Sequence, residues 1–552
     1  MSTSAASRGA GHAPAPGATT AGAASHASVV LLTLASAQFL MTLDSSVMNV
    51  SIATVAHDVG TDITGIQGAI TAYTLVMAAF MLAGAKVGTL IGRKRAFSIG
   101  CVIYACGSFT TAISTSLPVL LFGWSFLEGV GAALILPAIV ALVAANFAPD
   151  RRASAYGLVA AAGAVAVAVG PLIGGAATTY ASWRWVFIGE VFLAAIILVA
   201  ARKQRDAPVV DKPKFDYVGA VLSATGLALA VFGVLRSGTW GWVQPKPNAP
   251  ELFGVSAVIW LVLAGIFVLW LFLRWQEHCE NVGREPLVSP ALFHNRRLRG
   301  GLVMFFFQYL VQAGIFFVVP IFLSVALGLN AIDTGLRVMP LSVTLLAAAL
   351  GVPRLFPDAS PRRIVRFGLL ALLAGTLVLM GGLSPDAGPE IVLWPMLLIG
   401  LGIGMLASQL GAVTVSSVPD DQSPEVGGLQ NTMTNLGASL GTALAGSILV
   451  AALTTSFLGS VGTAQGVSAH LESTAQTTLA AGVPFVSDAQ AEQALADAKV
   501  PRRSADALME SYRSARIDGL TSALAILAFA TLLALFFAQR LPTEQPGRPA
   551  PA

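Results

Sequence analysis

Charge is what this chain has least of. Only 11% of its 552 residues are Asp, Glu, Lys or Arg, while 55% are hydrophobic. A soluble domain carries about 25% charged residues, so the deficit excludes an ordinary soluble enzyme and requires a solvent other than water. Cysteine is scarce too. Cys101, Cys106 and Cys279 are too few and too scattered for a disulfide framework or a zinc site. His57 and His278 stand alone, and no metal or cofactor site is expected from them. No G-x-x-x-x-G-K-[ST] loop occurs, so ATP hydrolysis is not the expected energy source, and no nucleophile–base set points to an enzyme. The net charge is only +4, with basic residues in short runs between apolar blocks rather than in a patch suited to nucleic acid.

What is abundant is apolar sequence in blocks of about 20 residues, the length that crosses a hydrocarbon core of about 30 Å. Inside such blocks the backbone must satisfy its own hydrogen bonds, which predicts helices. Six spans fall within residues 29–201. Two more, 217–235 and 253–273, fall within 202–299, flanked by polar linkers, and six fall within 300–538. Residues 1–28, rich in Ala, Gly, Ser and Pro, read as a disordered cytoplasmic tail, and 539–552 as a second one. A long extracytoplasmic loop is expected at 454–518. Its part from 488 to 516 has helical propensity and either covers the mouth of a pathway or is simply solvated. Arg93-Lys94-Arg95, Arg151-Arg152, Arg202-Lys203, Arg296-Arg297 and Arg362-Arg363 recur on one side of this layout. The positive-inside rule therefore places both termini in the cytoplasm of a bacterial cell with an even span count, fourteen. A six–two–six layout suggests two related bundles around an inserted pair, with a substrate site near the midplane between them.

The string Gly88-Thr89-Leu90-Ile91-Gly92-Arg93-Lys94-Arg95 resembles the signature loop of the major facilitator superfamily. Gly157, Gly170-Pro171 and Gly174-Gly175 in the fifth span resemble its antiporter motif. Leu43-Asp44-Ser45-Ser46-Val47-Met48-Asn49-Val50 is similar to the signature of its fourteen-span drug–proton antiporters, the EmrB/QacA type. So are Trp183-Arg184-Trp185-Val186-Phe187, Phe215-Asp216, Gly241-Trp242, Pro286-Leu287 and Leu292-Phe293. The resemblance covers nearly the whole chain in order. It implies an all-α polytopic membrane protein with two six-helix bundles plus a central inserted pair. It also implies that the Gly92–Arg95 loop latches one conformation and that the fifth span limits leak between the halves. The chain departs from the family pattern at Thr89 and Leu90, where an acid and an arginine are usual, and at Ser125, where an arginine associated with proton coupling is usual.

Ionisable residues inside a span are costly and mark functional candidates. Asp44 and Glu128 lie roughly 14 Å from the outer ends of their spans, and Glu190 roughly 8 Å, at 1.5 Å per residue. All three are expected in the outer half, facing one cavity, with no Lys or Arg in the first-half spans placed to pair with them apart from Lys86 at the inner end. A carboxyl so placed can carry a proton inward and release it as a cationic substrate leaves. Asp44 leads; Glu128 is a candidate to act where the family uses a different group. Glu190 is either a third member, or is solvated or paired with Arg184. Asn49, Tyr73, Gln308 and Gln312 are further candidates to line the cavity. Arg337, a short way into the tenth span, either snorkels to the outer surface or gates.

The expected function is proton-coupled efflux of drugs, amphipathic cations or secondary metabolites by alternating access. The alternatives are a lipid or nutrient transporter without proton antiport, and a membrane sensor or scaffold without transport. The expected partners are a small-molecule substrate, protons and the bilayer. The chain is expected to act as a monomer.

Overall fold

The computed structural model describes residues 16–147, 149–204, 206, 214–247, 249–418, 423–461, 479, 482–498 and 500–544. Nearly all of these are helical. In the first part of the chain the helices are α1 (Pro16–Asp58), α2 (Ile63–Ile91), α3 (Arg93–Ala112), α4 (Leu117–Asn146), α5 (Pro149–Tyr180) and α6 (Arg184–Ala201). Then come α7 (Tyr217–Trp240) and α8 (Ala257–Asn281). The remainder are α9 (Arg296–Ala326), α10 (Ala331–Leu355), α11 (Pro361–Gly382), α12 (Pro389–Val415), α13 (Ser423–Val461), the short α14 (Asp488–Asp497) and α15 (Arg502–Phe537). Among the described residues, thirteen helices are long and apolar enough to cross a membrane. The 20-residue α3, which opens on Arg93-Lys94-Arg95, is not one of them and lies packed between α4 and α6. Polar side chains close the exposed amides of the first turns, as hydrogen-bond accounting at helix ends requires. Asp62, Asp216, Asn295 and Asn330 accept from Gly65, Gly219, Arg297 and Asp333 respectively.

Three boundaries differ from expectation. The first helix begins at Pro16, so residues 16–28 of the expected tail continue α1. Alanine favours helix there, and proline is well tolerated in the first turn. The eighth span begins at Ala257 rather than Phe253, because Phe253 and Gly254, both with positive φ, turn a hairpin between strands Glu251–Leu252 and Val255–Ser256. The loop at 454–518 is shortened from both sides, by α13 running to Val461 and α15 starting at Arg502. Tyr512 and Arg516 of α15 bind the backbone at Pro484 and Val486, and Arg516 and Arg513 pair with Asp488. α14 is thus moored to its own neighbour α15.

We call the end of the bundle carrying Arg93–Arg95 the basic end and its opposite the far end. α1 packs on α5, and α3 on α4 and α6. In the later part α9 and α15 pack on α13, and α12 lies between α10 and α11. The two groups meet along α2–α13 and α5–α10. Direct hydrogen bonds between them run from the far end to about mid-helix. Gln67 donates to Thr442 and Ala443, Ser439 to Thr71, Ser342 to Val167, and the Ile332 amide to Thr179. The inserted pair α7–α8 sits beside α2 and α13. It is fastened by Asp216, which accepts from Trp275 and Gln276, each at 2.8 Å. The Gln276 carbonyl then accepts from the amides of Leu287 and Val288.

Glycine sets how closely α3 and α4 approach. A Cβ on Gly131 would lie 2.8 Å from the Tyr104 amide nitrogen and 2.9 Å from the Gly100 carbonyl, both backbone atoms that cannot step aside. Gly157, by contrast, has nothing within 4 Å. Glycine-to-alanine gains about 1 kcal/mol of helix propensity, whereas overpacking costs about 1–3 kcal/mol. Gly131→Ala is therefore expected to lower the thermal unfolding midpoint of the purified protein, and Gly157→Ala to leave it equal or higher.

Candidate functional site

The three carboxylates expected in the first spans meet. Asp44 of α1, Glu128 of α4 and Glu190 of α6 each place an oxygen within 4.8 Å of the others. None is open to solvent: Asp44 and Glu128 are 0% exposed and Glu190 2%. They face one another inside the packing of α1, α3, α4 and α6. Among the described residues no lysine or arginine pairs with them.

Each carboxylate is oriented by a neighbour. Trp124 Nε1 donates to Asp44 at 2.8 Å to Oδ1 and 3.1 Å to Oδ2. Thr111 donates to Glu128 Oε1 at 3.1 Å, and Tyr104 and Ser108 donate to Glu190 Oε2 at 3.1 and 3.3 Å. Glu190 therefore does not pair with Arg184. That arginine reaches Asp58 at 3.0 Å and the Ser114 carbonyl at 2.7 Å, at the far end, with Trp183 also donating to Asp58. Burial against tyrosine and serine hydroxyls takes the place of an ion pair.

Local backbone structure delivers these groups. Residues Leu121–Glu128 of α4 wind as a π-helix, a rare form that is frequent at functional sites. This turn carries Trp124, Ser125 and Glu128. Ser125, at the position of the family's arginine, donates to the Ala69 carbonyl of α2 at 2.8 Å. Gly107 of α3 supplies the space for Glu128, since a Cβ there would lie 2.6 Å from the Glu128 side chain. Tyr73 of α2 stacks on Trp124 with ring centroids 5.0 Å apart and 6° between planes. Its buried hydroxyl lies close to Asp44 without completing a hydrogen bond.

The other candidates fall elsewhere. The Asn49 amide donates to the Ser45 carbonyl of its own helix at 2.8 Å and does not reach the carboxylates. Gln308 and Gln312, one turn apart on α9, carry buried carbonyl oxygens without partners. Arg337 is exposed and lines a surface cavity with Asp333 and Glu390 near the far end of α10. Trp124, Tyr104, Ser108 and Thr111 belong to the site but were not among the sequence candidates. An indole or hydroxyl in an apolar block carries no signal until its carboxylate neighbour is known.

The conformational motifs also have places. Gly170 and Gly174 face α1, where a Cβ would meet Ser46 at 2.4 Å and Val47 at 2.9 Å. Gly175 faces the Ala331 carbonyl at 2.6 Å, and the Pro171 carbonyl would meet a Cβ on Gly335 at 2.4 Å. The motif thus joins α5 to α1 and to α10 at once; Gly157 touches neither. Gly92 turns between α2 and α3 with φ +98°. Asp206 sits against it and accepts from the Lys94 amide, while Lys94 Nζ donates to the carbonyls of Arg202 and Gln204. Arg93 folds back onto the Ala85 carbonyl at 2.9 Å, and Arg95 is exposed.

A family model described as Major Facilitator Superfamily matches residues 34–442. The tetracenomycin C resistance and export protein of Streptomyces glaucescens is 27% identical over 522 residues, covering 93% of this chain and 92% of that protein. The puromycin resistance protein pur8 of Streptomyces alboniger is 29% identical over 440 residues, covering 78% and 84%. A solved bacterial homolog of the human lysosomal transporter Spinster superposes with a TM-score of 0.58 at 15% identity, over 96% of this chain and 99% of its own. The chain is a multi-pass membrane transporter that belongs to the Major Facilitator Superfamily, among relatives of its drug- and antibiotic-exporting branch.

Proposed function

We propose that this transporter exports an amphipathic cation or secondary metabolite from the bacterial cytoplasm in exchange for protons, by alternating access. The observation that carries the reading is the buried carboxylate trio. Three acids from three helices share one buried chamber with no basic partner among the described residues, a setting in which bound protons are exchangeable cargo. The exporter relatives support a metabolite or antibiotic as the substrate.

Coupling runs through α1 and α4. Protonation removes repulsion between Asp44 and its neighbours, and α1 bears directly on α5 through Gly170 and Gly174. α5 in turn bears on α10 through Gly175 and Pro171, at the seam between the halves. In this reading the far end is extracytoplasmic, and the hydrogen bonds at the seam hold that side shut. Gln308 and Gln312 offer acceptors to substrate from the other half.

Export of a fluorescent lipophilic cation from cells expressing the chain tests the function. Rates are expected to fall to background with a protonophore and in Asp44→Asn. Export surviving both treatments removes proton antiport through Asp44. The orientation is tested separately: a reporter active only outside the cytoplasm is expected to work when fused after residue 470 and to fail when fused after residue 210.

A further inference from the structure

Two oxygens of the trio and one neighbouring hydroxyl are buried without a hydrogen-bond partner: Glu128 Oε2, Glu190 Oε1 and Tyr73 Oη. Native proteins leave few such groups, and each one needs an explanation. The opposite oxygen of each glutamate is held, Glu128 Oε1 by Thr111 and Glu190 Oε2 by Tyr104 and Ser108. One oxygen pinned and one left free is the arrangement in which outer hydrogen bonds aim the ligands of an ion. Asp44 is pinned by Trp124, and a carboxylate with about four lone-pair sites keeps acceptor capacity beyond that donor. Tyr73 is not one of the acids. It comes from α2, is 1% exposed, is held by its stack on Trp124, and brings its free hydroxyl to Asp44.

We propose that Asp44, Glu128, Glu190 and the Tyr73 hydroxyl form a binding site for a hard cation of sodium or calcium size. The proposal builds on the reading of these carboxylates as the coupling site and gives that site a second occupant, which competes with protons. Oxygens bound to such a cation at about 2.3–2.6 Å stand up to about 5 Å apart across it, and the three acids meet that limit at 4.8 Å. All the donors are oxygens. No histidine or cysteine joins the group, which disfavours zinc and copper. Magnesium holds on to several waters, and a chamber closed to solvent disfavours it. Charge balances with one sodium ion and two protons, or with one calcium ion and one proton.

The test uses the full-length protein, purified in detergent at mildly alkaline pH. Binding of radioactive sodium and of radioactive calcium is measured, and the unfolding midpoint is compared in sodium, choline, calcium and magnesium chlorides. Saturable binding of one of the two ions is expected, with a higher midpoint in that salt and displacement of the ion as pH falls. Sodium binding assigns the monovalent form of the site and calcium binding the divalent form. Glu128→Gln is expected to abolish binding. Tyr73→Phe, which keeps the ring stack, is expected to weaken binding about tenfold with an unchanged midpoint in choline. Absence of saturable binding of both ions overturns the proposal, as does binding undiminished in the two variants. Proton-driven export by a protein that binds neither ion sinks the cation site alone. Ion binding with export indifferent to the proton gradient sinks the proton reading and keeps the site.

Discussion

Three carboxylates held within 4.8 Å of one another, in a place water does not reach, set the terms for the whole first bundle. Two full charges at that spacing repel by on the order of 3 kcal/mol even at an effective dielectric near 20, and among the described residues no arginine or lysine offsets this. Neutralisation by protons or a cation is therefore part of the resting structure. The surrounding residues follow from that need. Trp124, Tyr104, Ser108 and Thr111 all aim donors at the acids. The glycine contacts of α3 with α4 keep the chamber narrow enough for those donors to reach.

The remaining architecture transmits what happens in that chamber. α5 is pressed against α1 on one side and α10 on the other, at Gly170, Gly174 and Gly175, none of which has room for a methyl group. A displacement of α1 has no slack in which to dissipate. At the basic end the contacts have another character. Lys86 pairs with Glu285 in the segment after α8, and Glu425 of α13 accepts from the Ser289 amide of that segment. The inserted pair and its trailing segment thus bridge the halves with polar contacts on the side where the direct hydrogen bonds between them stop.

Much of this was legible in the sequence. Twenty-residue apolar blocks have one stable form in hydrocarbon, and the alternation of basic loops constrains their number. The helix ends were less legible, because α1, α13 and α15 continue past their apolar blocks on alanine-rich, hydroxyl-rich or charged sequence that hydropathy ignores. Asp44, Glu128 and Glu190 stood out because charge in a span is rare. Their convergence follows from helix packing, which the order of residues does not show. Asp206 is the clearest case. The last turn of α2 has Thr89 where the resemblance would put an acid, yet a carboxylate still contacts the turn at Gly92 and Lys94, reaching it from the chain after α6. A motif search along the loop cannot find a residue that arrives through space.

The π-helical stretch of α4 has a consequence for how this helix tolerates change. A π turn holds about one residue more than an α turn, so the segments on either side are out of phase by about 100° relative to an uninterrupted α-helix. Were Leu121–Glu128 to rewind as ordinary α-helix with no residue lost, everything on one side would rotate by about 100° as a block. Glu128 would then leave its partners with the sequence unchanged. In this protein the winding of one helix is as much a part of the site as the identity of its acids.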